Sequence, residues 1–281
     1  MSLQADLIRV IELFQFPFMQ RALMGGVLTG LMGGLLGSFT ILRQLSFFSD
    51  ALGHSTLLGI SLGVLMGVSP SIVLLPSAVL FALGVNYLLQ RTRLWTDALL
   101  NTIYSSSLAI AVIILSFVDS YKGGLNNLLF GDILAIQYSD LWTSVILLCI
   151  CVLFVSLSLR TQMLMTLNES LAIARGVSVE VHRTAFIVLL SLVVGVSIKA
   201  IGALLVSAFV VIPACASRLL SRTFAQYVLL SAALGAVSAL VGIGLSAWFN
   251  LPSGPSIVVT QLVIFLGAIA FSQLQPTSAR T

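Results

Sequence analysis

Nine apolar stretches take up most of the chain, most of them about the length of a bilayer-crossing helix. An α-helix rises about 1.5 Å per residue, so roughly 20 apolar residues span a hydrocarbon core of about 30 Å. Bounded by charges and by Gly/Pro turns, the stretches run 18–42, 45–68, 70–89, 98–118, 141–159, 184–198, 201–220, 224–249 and 255–271. The sixth and seventh nearly abut, and they suit one broken unit as well as two separate spans. Charged residues make up only 8% of the chain, against roughly 25% in a soluble domain, while apolar residues make up 59%. That leaves too little polar surface to cover a globule in water. The expected fold is an all-α integral membrane protein, a polytopic bundle of eight or nine transmembrane helices occupying residues 17–273, with lipid as its solvent.

The 13 basic residues are scattered between apolar runs and form no basic stripe, which excludes a nucleic-acid partner. Three cysteines, an odd number, do not suggest a disulfide framework. Placing the N-terminus outside puts Arg43, Arg91, Arg93, Arg160, Arg175, Arg183, Arg218, Arg222 and Arg280 in cytoplasmic segments. Only Arg9, Arg21, Lys122 and Lys199 then lie outside, so the positive-inside rule predicts an N-out, C-in topology with 274–281 as a cytoplasmic tail. Residues 1–16 lack the basic start of a signal peptide and carry Asp6 and Glu12. Leu3, Leu7, Ile11 and Phe14 share one helical face opposite Gln4, Asp6, Arg9 and Glu12, which predicts an amphipathic helix in the membrane interface. A frayed polar leader is the alternative.

Gly26, Gly30 and Gly34 recur at every fourth residue, and Gly59, Gly63 and Gly67 do the same in the second stretch. In lipid, small residues at this spacing let helix backbones approach closely, so both rows predict helix packing. Pro213 interrupts an apolar segment soon after Gly195 and Gly202, and Gly202 and Pro213 are the expected helix-break or gating positions. Proline removes a backbone donor, and the freed group must be satisfied by protein or a wet cavity; a plain proline kink is the other reading. Between Arg160 and Thr184 the chain leaves the membrane. Residues 167–177 there read as a short helix holding Glu169 and Ala172, with Asn168 as N-cap and Gly176 as stop; it is either a docking element or a connector.

Ionisable groups at membrane depth are costly and point to function. Asp50 and His54, spaced i and i+4, share one helix face. A carboxylate and an imidazole suit zinc, manganese or iron, and a two-ligand site releases its ion easily. A symmetric second pair would bring the ligands to four. The competing reading is a mutually satisfied pair that fixes helix packing. Asp132 and Cys215 are weaker candidates, while Cys149 and Cys151 face different ways on a helix, and His182 falls in the cytoplasmic loop. Neither Lys122 nor Lys199 follows a glycine, so no phosphate-cradling Gly-Lys pattern exists, and no H-E-x-x-H occurs. Any ATPase must therefore be another chain, and the chain is not expected to be an enzyme itself. A secondary transporter would need a coupling-ion site beyond Asp50. A Ser–His hydrolase using Ser55 or Ser253 is poorly served by adjacent His54 and Ser55, which project about 100° apart.

Five ordered motifs carry a resemblance: RQLSFFSDALGHSTLLG from Arg43, LFGDIL from Leu129, the loop from Asn168 to Val177, IGALLVSAFVVIPACASR from Ile201, and LPSGPSIV from Leu251. Together they make the chain similar to the membrane permease subunits of ATP-binding-cassette importers for zinc, manganese and iron(II). The resemblance implies a homodimer, two cytoplasmic ATP-binding subunits and an extracytoplasmic metal-binding protein, in a bacterial inner membrane. It implies that Asp50 and His54 form the translocation-pathway metal site, with no permanently bound cofactor. It further implies that the segment bearing Asn168, Glu169, Ala172 and Gly176 is the coupling helix. The FSDALGHSTLLG and LFGDILAI wording sits closer to zinc permeases than to manganese ones. Ser49 stands where the family often has Gly, Leu58 where it often has Pro, and Asn168 where it often has Asp.

Overall fold

The computed structural model of the chain describes residues 12, 14–92, 94–117, 131 and 136–274. The expected interfacial helix at 1–16, the outer loop with Lys122, Asp132 and most of its motif, and the tail with Arg280 fall mainly or wholly outside these residues. All the long elements are helices: α1 (Pro17–Leu42), α2 (Ser46–Leu65), α3 (Pro70–Arg91), α4 (Thr96–Ser116), α5 (Tyr138–Leu167), α6 (Glu169–Ala174), α7 (Val179–Ile201), α8 (Val206–Leu220), α9 (Phe224–Phe249) and α10 (Ser253–Leu274). Among the described residues, seven helices are long and apolar enough to cross a membrane, and α8 is a shorter apolar one. The remaining long helix, α2, carries the buried polar residues Ser49, His54, Ser55, Thr56 and Ser61. These groups are buried within the protein and not turned to lipid, as their polarity requires.

The glycine rows explain the packing. Gly30 of α1 lies directly against the Gly235 backbone of α9, and Gly34 against that of Ser231, so a Cβ at either position would collide with main chain. Ser231 Oγ donates to the Gly34 carbonyl at 2.6 Å, and Tyr227 Oη donates to the Ser38 carbonyl at 3.1 Å. Rising numbers on α1 meet falling numbers on α9, so the two helices run antiparallel. In the second row, Gly59 and Gly63 face Ser77 and Val73 of α3, whereas Gly67 takes a positive φ of 74° in the turn that ends α2.

Three expectations change. The fifth stretch does not stop at 159. A capping box between Gln137 and Asp140 starts α5, and the helix runs on through Arg160 to Leu167. A lone arginine at a helix end reaches water without ending the hydrogen-bond ladder. The expected break at Pro213 is the second correction. Pro213 sits inside α8, and the interruption comes at 202–205, where Gly202 ends α7 with φ 92° and ψ 157°. That region is open essentially to glycine alone. The Phe209 carbonyl, deprived of its helical donor by Pro213, lies against Gly33 of α1, within 2.8 Å of where a Cβ would stand. Third, His182 is not in a loop but in the first turns of α7, half-buried, with Nδ1 3.0 Å from the Ser178 carbonyl.

Candidate metal site and coupling segment

Asp50 and His54 lie on α2, which enters the bundle between α3, α4 and α8. The Asp50 carboxylate is partly buried and accepts a hydrogen bond from Ser207 Oγ at 3.2 Å. Ser207 belongs to the first turn of α8, directly beyond the 202–205 break, so that break aims a helix start at the acid. His54 is 3% exposed. Its ring meets the Tyr104 ring edge-on, with centroids 4.6 Å apart at 87°. Among the described residues, Nδ1 of His54 has no hydrogen-bond partner, nor do the hydroxyls of Ser49 and Ser55. No hydrogen bond joins Asp50 to His54 in this arrangement, so the pair does not satisfy itself. An unpartnered buried imidazole nitrogen is unfavourable by about 1–3 kcal/mol, which a bound cation would recover.

Behind Gly53, the residue before His54, lies the broken joint. The Ala203 carbonyl stands 3.0 Å from the place a Gly53 Cβ would occupy. On the far side, Gly131, with φ 70°, packs directly on the Ile201–Gly202 backbone. The unwound segment is thus held between α2 and Gly131.

A cavity of about 950 Å³ reaches Asp50 from one end of the bundle. Its lining includes Gln44, Ser46, Asp50, Asp97, Asn101 and Ser207. Asp97 and Asn101 repeat on α4 the i, i+4 spacing of Asp50 and His54. The sequence reading passed over Asp97, taking it as the boundary of the fourth stretch. Its spacing to Asn101 was the signal that marks it. His54, one turn deeper, does not line the cavity. Among the described residues, no three His, Cys, Asp or Glu side chains gather into a metal cluster, so one chain offers a sparse ligand set.

The other predicted residues lie toward the same end as Gln44. Asn168 caps α6, its side chain accepting from the Leu171 amide at 3.0 Å, and Gly176 follows the helix with φ 78°. Ala172 is fully buried against its neighbours, whereas Leu171 and Ile173 project outward. Glu169 pairs with Arg183 of α7 at 2.7 Å. Next to them, Arg43 donates to Gln162 of α5 and lies 4.7 Å above the Phe186 ring. Burial pushes the Arg43 guanidinium down to about 10, helped by Arg183 and opposed by Glu169, so it stays charged at neutral pH. At the opposite end, Lys199 pairs with Asp140 at 3.0 Å, tying the end of α7 to the start of α5.

Comparison with known proteins matches residues 15–272 to the ABC 3 transport family. A manganese transport system membrane protein, MntC of Listeria monocytogenes, is 32% identical over 263 residues, covering 94% of this chain and 94% of its own. The high-affinity zinc uptake system membrane protein ZnuB of Haemophilus influenzae is 30% identical over 254 residues, 89% of this chain and 96% of its own. The solved structure of PsaBC from Streptococcus pneumoniae in complex with Fab superposes with a TM-score of 0.82 at 28% identity, over 93% of this chain and 95% of that one. Manganese and zinc relatives stand at nearly equal distance, so likeness alone does not select a metal.

Proposed function

The chain belongs to the ABC 3 transport family, and on that premise we propose that it is the permease subunit of an ATP-binding-cassette importer carrying a divalent transition-metal ion into the cytoplasm. The observation that carries the proposal is the pair on α2: a partly buried Asp50 carboxylate lining a cavity and a buried His54 nitrogen with no partner among the described residues. Both are ligand types for a borderline cation. Zinc is the cargo the motif wording favours. Manganese is the second reading, supported by the relative from Listeria and by the oxygen-rich cavity lining of Asp50, Asp97, Asn101 and Ser207.

By the distribution of basic residues, the N-terminus is outside and the cavity faces the cytoplasm. It gives the ion an exit, with Asp97 and Asn101 on the way out from Asp50. His54, beyond the cavity, stands on the closed side, as alternating access requires of a transient station. Polar lining open to the surface of a lipid-embedded chain needs cover. A second copy of the chain supplies that cover and a second Asp50/His54 pair, raising the ligand count to four. The α6 segment, with Asn168, Glu169, Ala172 and Gly176 in place and Leu171 and Ile173 exposed, is the element that couples to a cytoplasmic ATP-binding subunit. A metal-binding protein delivers the ion on the outer side.

Proteoliposomes holding the chain and its ATP-binding subunit test this reading. Metal uptake that requires ATP is expected. Uptake driven by a proton or sodium gradient with no nucleotide would place the chain among secondary transporters instead.

A further inference from the structure

The turn that leads into α2 is closed by two backbone hydrogen bonds. Leu45 donates its amide to the Thr40 carbonyl at 2.9 Å and Gln44 donates to that of Ile41 at 3.1 Å, the paired bonds of a Schellman cap. Glycine normally fills its left-handed position, yet Gln44 does so here with φ 57°. A non-glycine residue in that region costs about 1–3 kcal/mol and persists only where its surroundings enforce it. Gln44 also lines both the cavity that reaches Asp50 and a second cavity of about 400 Å³ beside Arg43, Glu169 and Arg183. The turn therefore separates the metal compartment from the coupling segment.

One side chain fastens that turn across the bundle. Arg43 donates to Gln162, five residues before α5 ends and α6 begins, and it stacks on Phe186 of α7. Gln162 is 1% exposed, and its own Nε2 finds no partner among the described residues. Its oxygen is therefore committed to Arg43 in a site where either partner alone is costly to bury. The Glu169–Arg183 pair ties α6 to α7 one layer away. Asp50 is the fifth residue of α2, and the doubly hydrogen-bonded turn at Arg43–Leu45 joins that helix to the Arg43 anchor, so movement of Arg43 is passed to Asp50 through the turn.

Building on the importer reading above, we infer that Arg43 is the positioning residue that transmits movement of the α5–α6–α7 tip to the metal helix, through its hydrogen bond to Gln162. Its planar fork holds the amide and the aromatic face at once, which a lysine ammonium does not reproduce. Loss of the contact uncouples the two ends: nucleotide is hydrolysed without Asp50 being shifted.

The test uses the chain assembled with its ATP-binding subunit in proteoliposomes, with metal-loaded binding protein and radiolabelled zinc or manganese as probe. The readout is metal transported per ATP hydrolysed, a ratio that mere loss of folded protein does not change. Arg43→Ala and Gln162→Leu are expected to keep hydrolysis within about twofold of the parent and to lower the ratio about fivefold or more, within the range of coupling residues. Gln162→Glu, which offers Arg43 a carboxylate, is expected to keep the ratio within about twofold. If Arg43→Ala fails to assemble, the Gln162 pair still decides. An unchanged ratio in Gln162→Leu, or an equal fall in Gln162→Glu, overturns the inference. A parent complex with no ATP-driven uptake would overturn the importer reading itself.

Discussion

The hydrogen bond from Ser207 to Asp50 and the partnerless Nδ1 of His54 give the two residues different tasks. Asp50 already has a donor, so a metal arriving there competes with a hydroxyl that the start of α8 supplies. His54, packed against the Tyr104 ring with its Nδ1 unpartnered among the described residues, gains outright from a cation. Asp50→Ala and His54→Ala should each reduce metal uptake about tenfold or more, the effect of losing one interaction with a charged group, ~1.5–3 kcal/mol. Both variants should assemble with the ATP-binding subunit as the parent does, as co-purification will show. Asp97→Asn, at the cavity wall and not at the station, should slow uptake only by about two- to threefold at low ionic strength, where its field on a cation is least screened. Equal, complete losses at all three positions would point to a folding role and not to a path. The i, i+4 pattern on α2 was legible in the sequence because both residues sit on one helix. Ser207 and Tyr104 were not, because 157 residues separate Ser207 from Asp50 and only packing brings them together.

The helices themselves are fixed by contacts that leave no room for side chains. Gly34 touches the Ser231 backbone, and the obstacle is main chain that cannot rotate away. Gly34→Val should therefore prevent the α1–α9 pairing and remove folded protein from detergent extracts, beyond the ~1–3 kcal/mol of ordinary overpacking. Gly244, with open space around it, should accept Ala without loss. Thermal stability of the purified variants checks both. The sequence showed where the glycine rows lie but not which helix each row meets. It also placed a break at Pro213, because proline is the strongest local signal for one. Pro213 lies inside α8 instead, and of the two expected positions it is Gly202, with its positive φ, that interrupts the chain. Likewise Arg160 read as an end to α5, whereas the cap bond of Asn168, well beyond Arg160, begins the next element.

Across the whole molecule, a cavity reaches Asp50 beside Gln44, whose turn divides it from the cluster of Arg43, Gln162, Glu169 and Arg183. Membrane character and helix count were readable from apolar run length alone, since lipid leaves few other solutions. The cavity was not, because its wall is assembled from α1, α2, α4 and α8, and the second copy that would close it is a matter of surface, not of local pattern. The most direct test of the account is uptake of radiolabelled zinc by cells that rely on this chain and its partner subunits. It should be measured with and without excess manganese, and beside the Asp50→Ala and His54→Ala variants. Energy-dependent uptake that both variants lose is the predicted result, with manganese indifference marking zinc as the cargo and manganese suppression marking manganese or a broader range. Uptake that persists undiminished in both variants would contradict the central claim that the ion passes by Asp50 and His54.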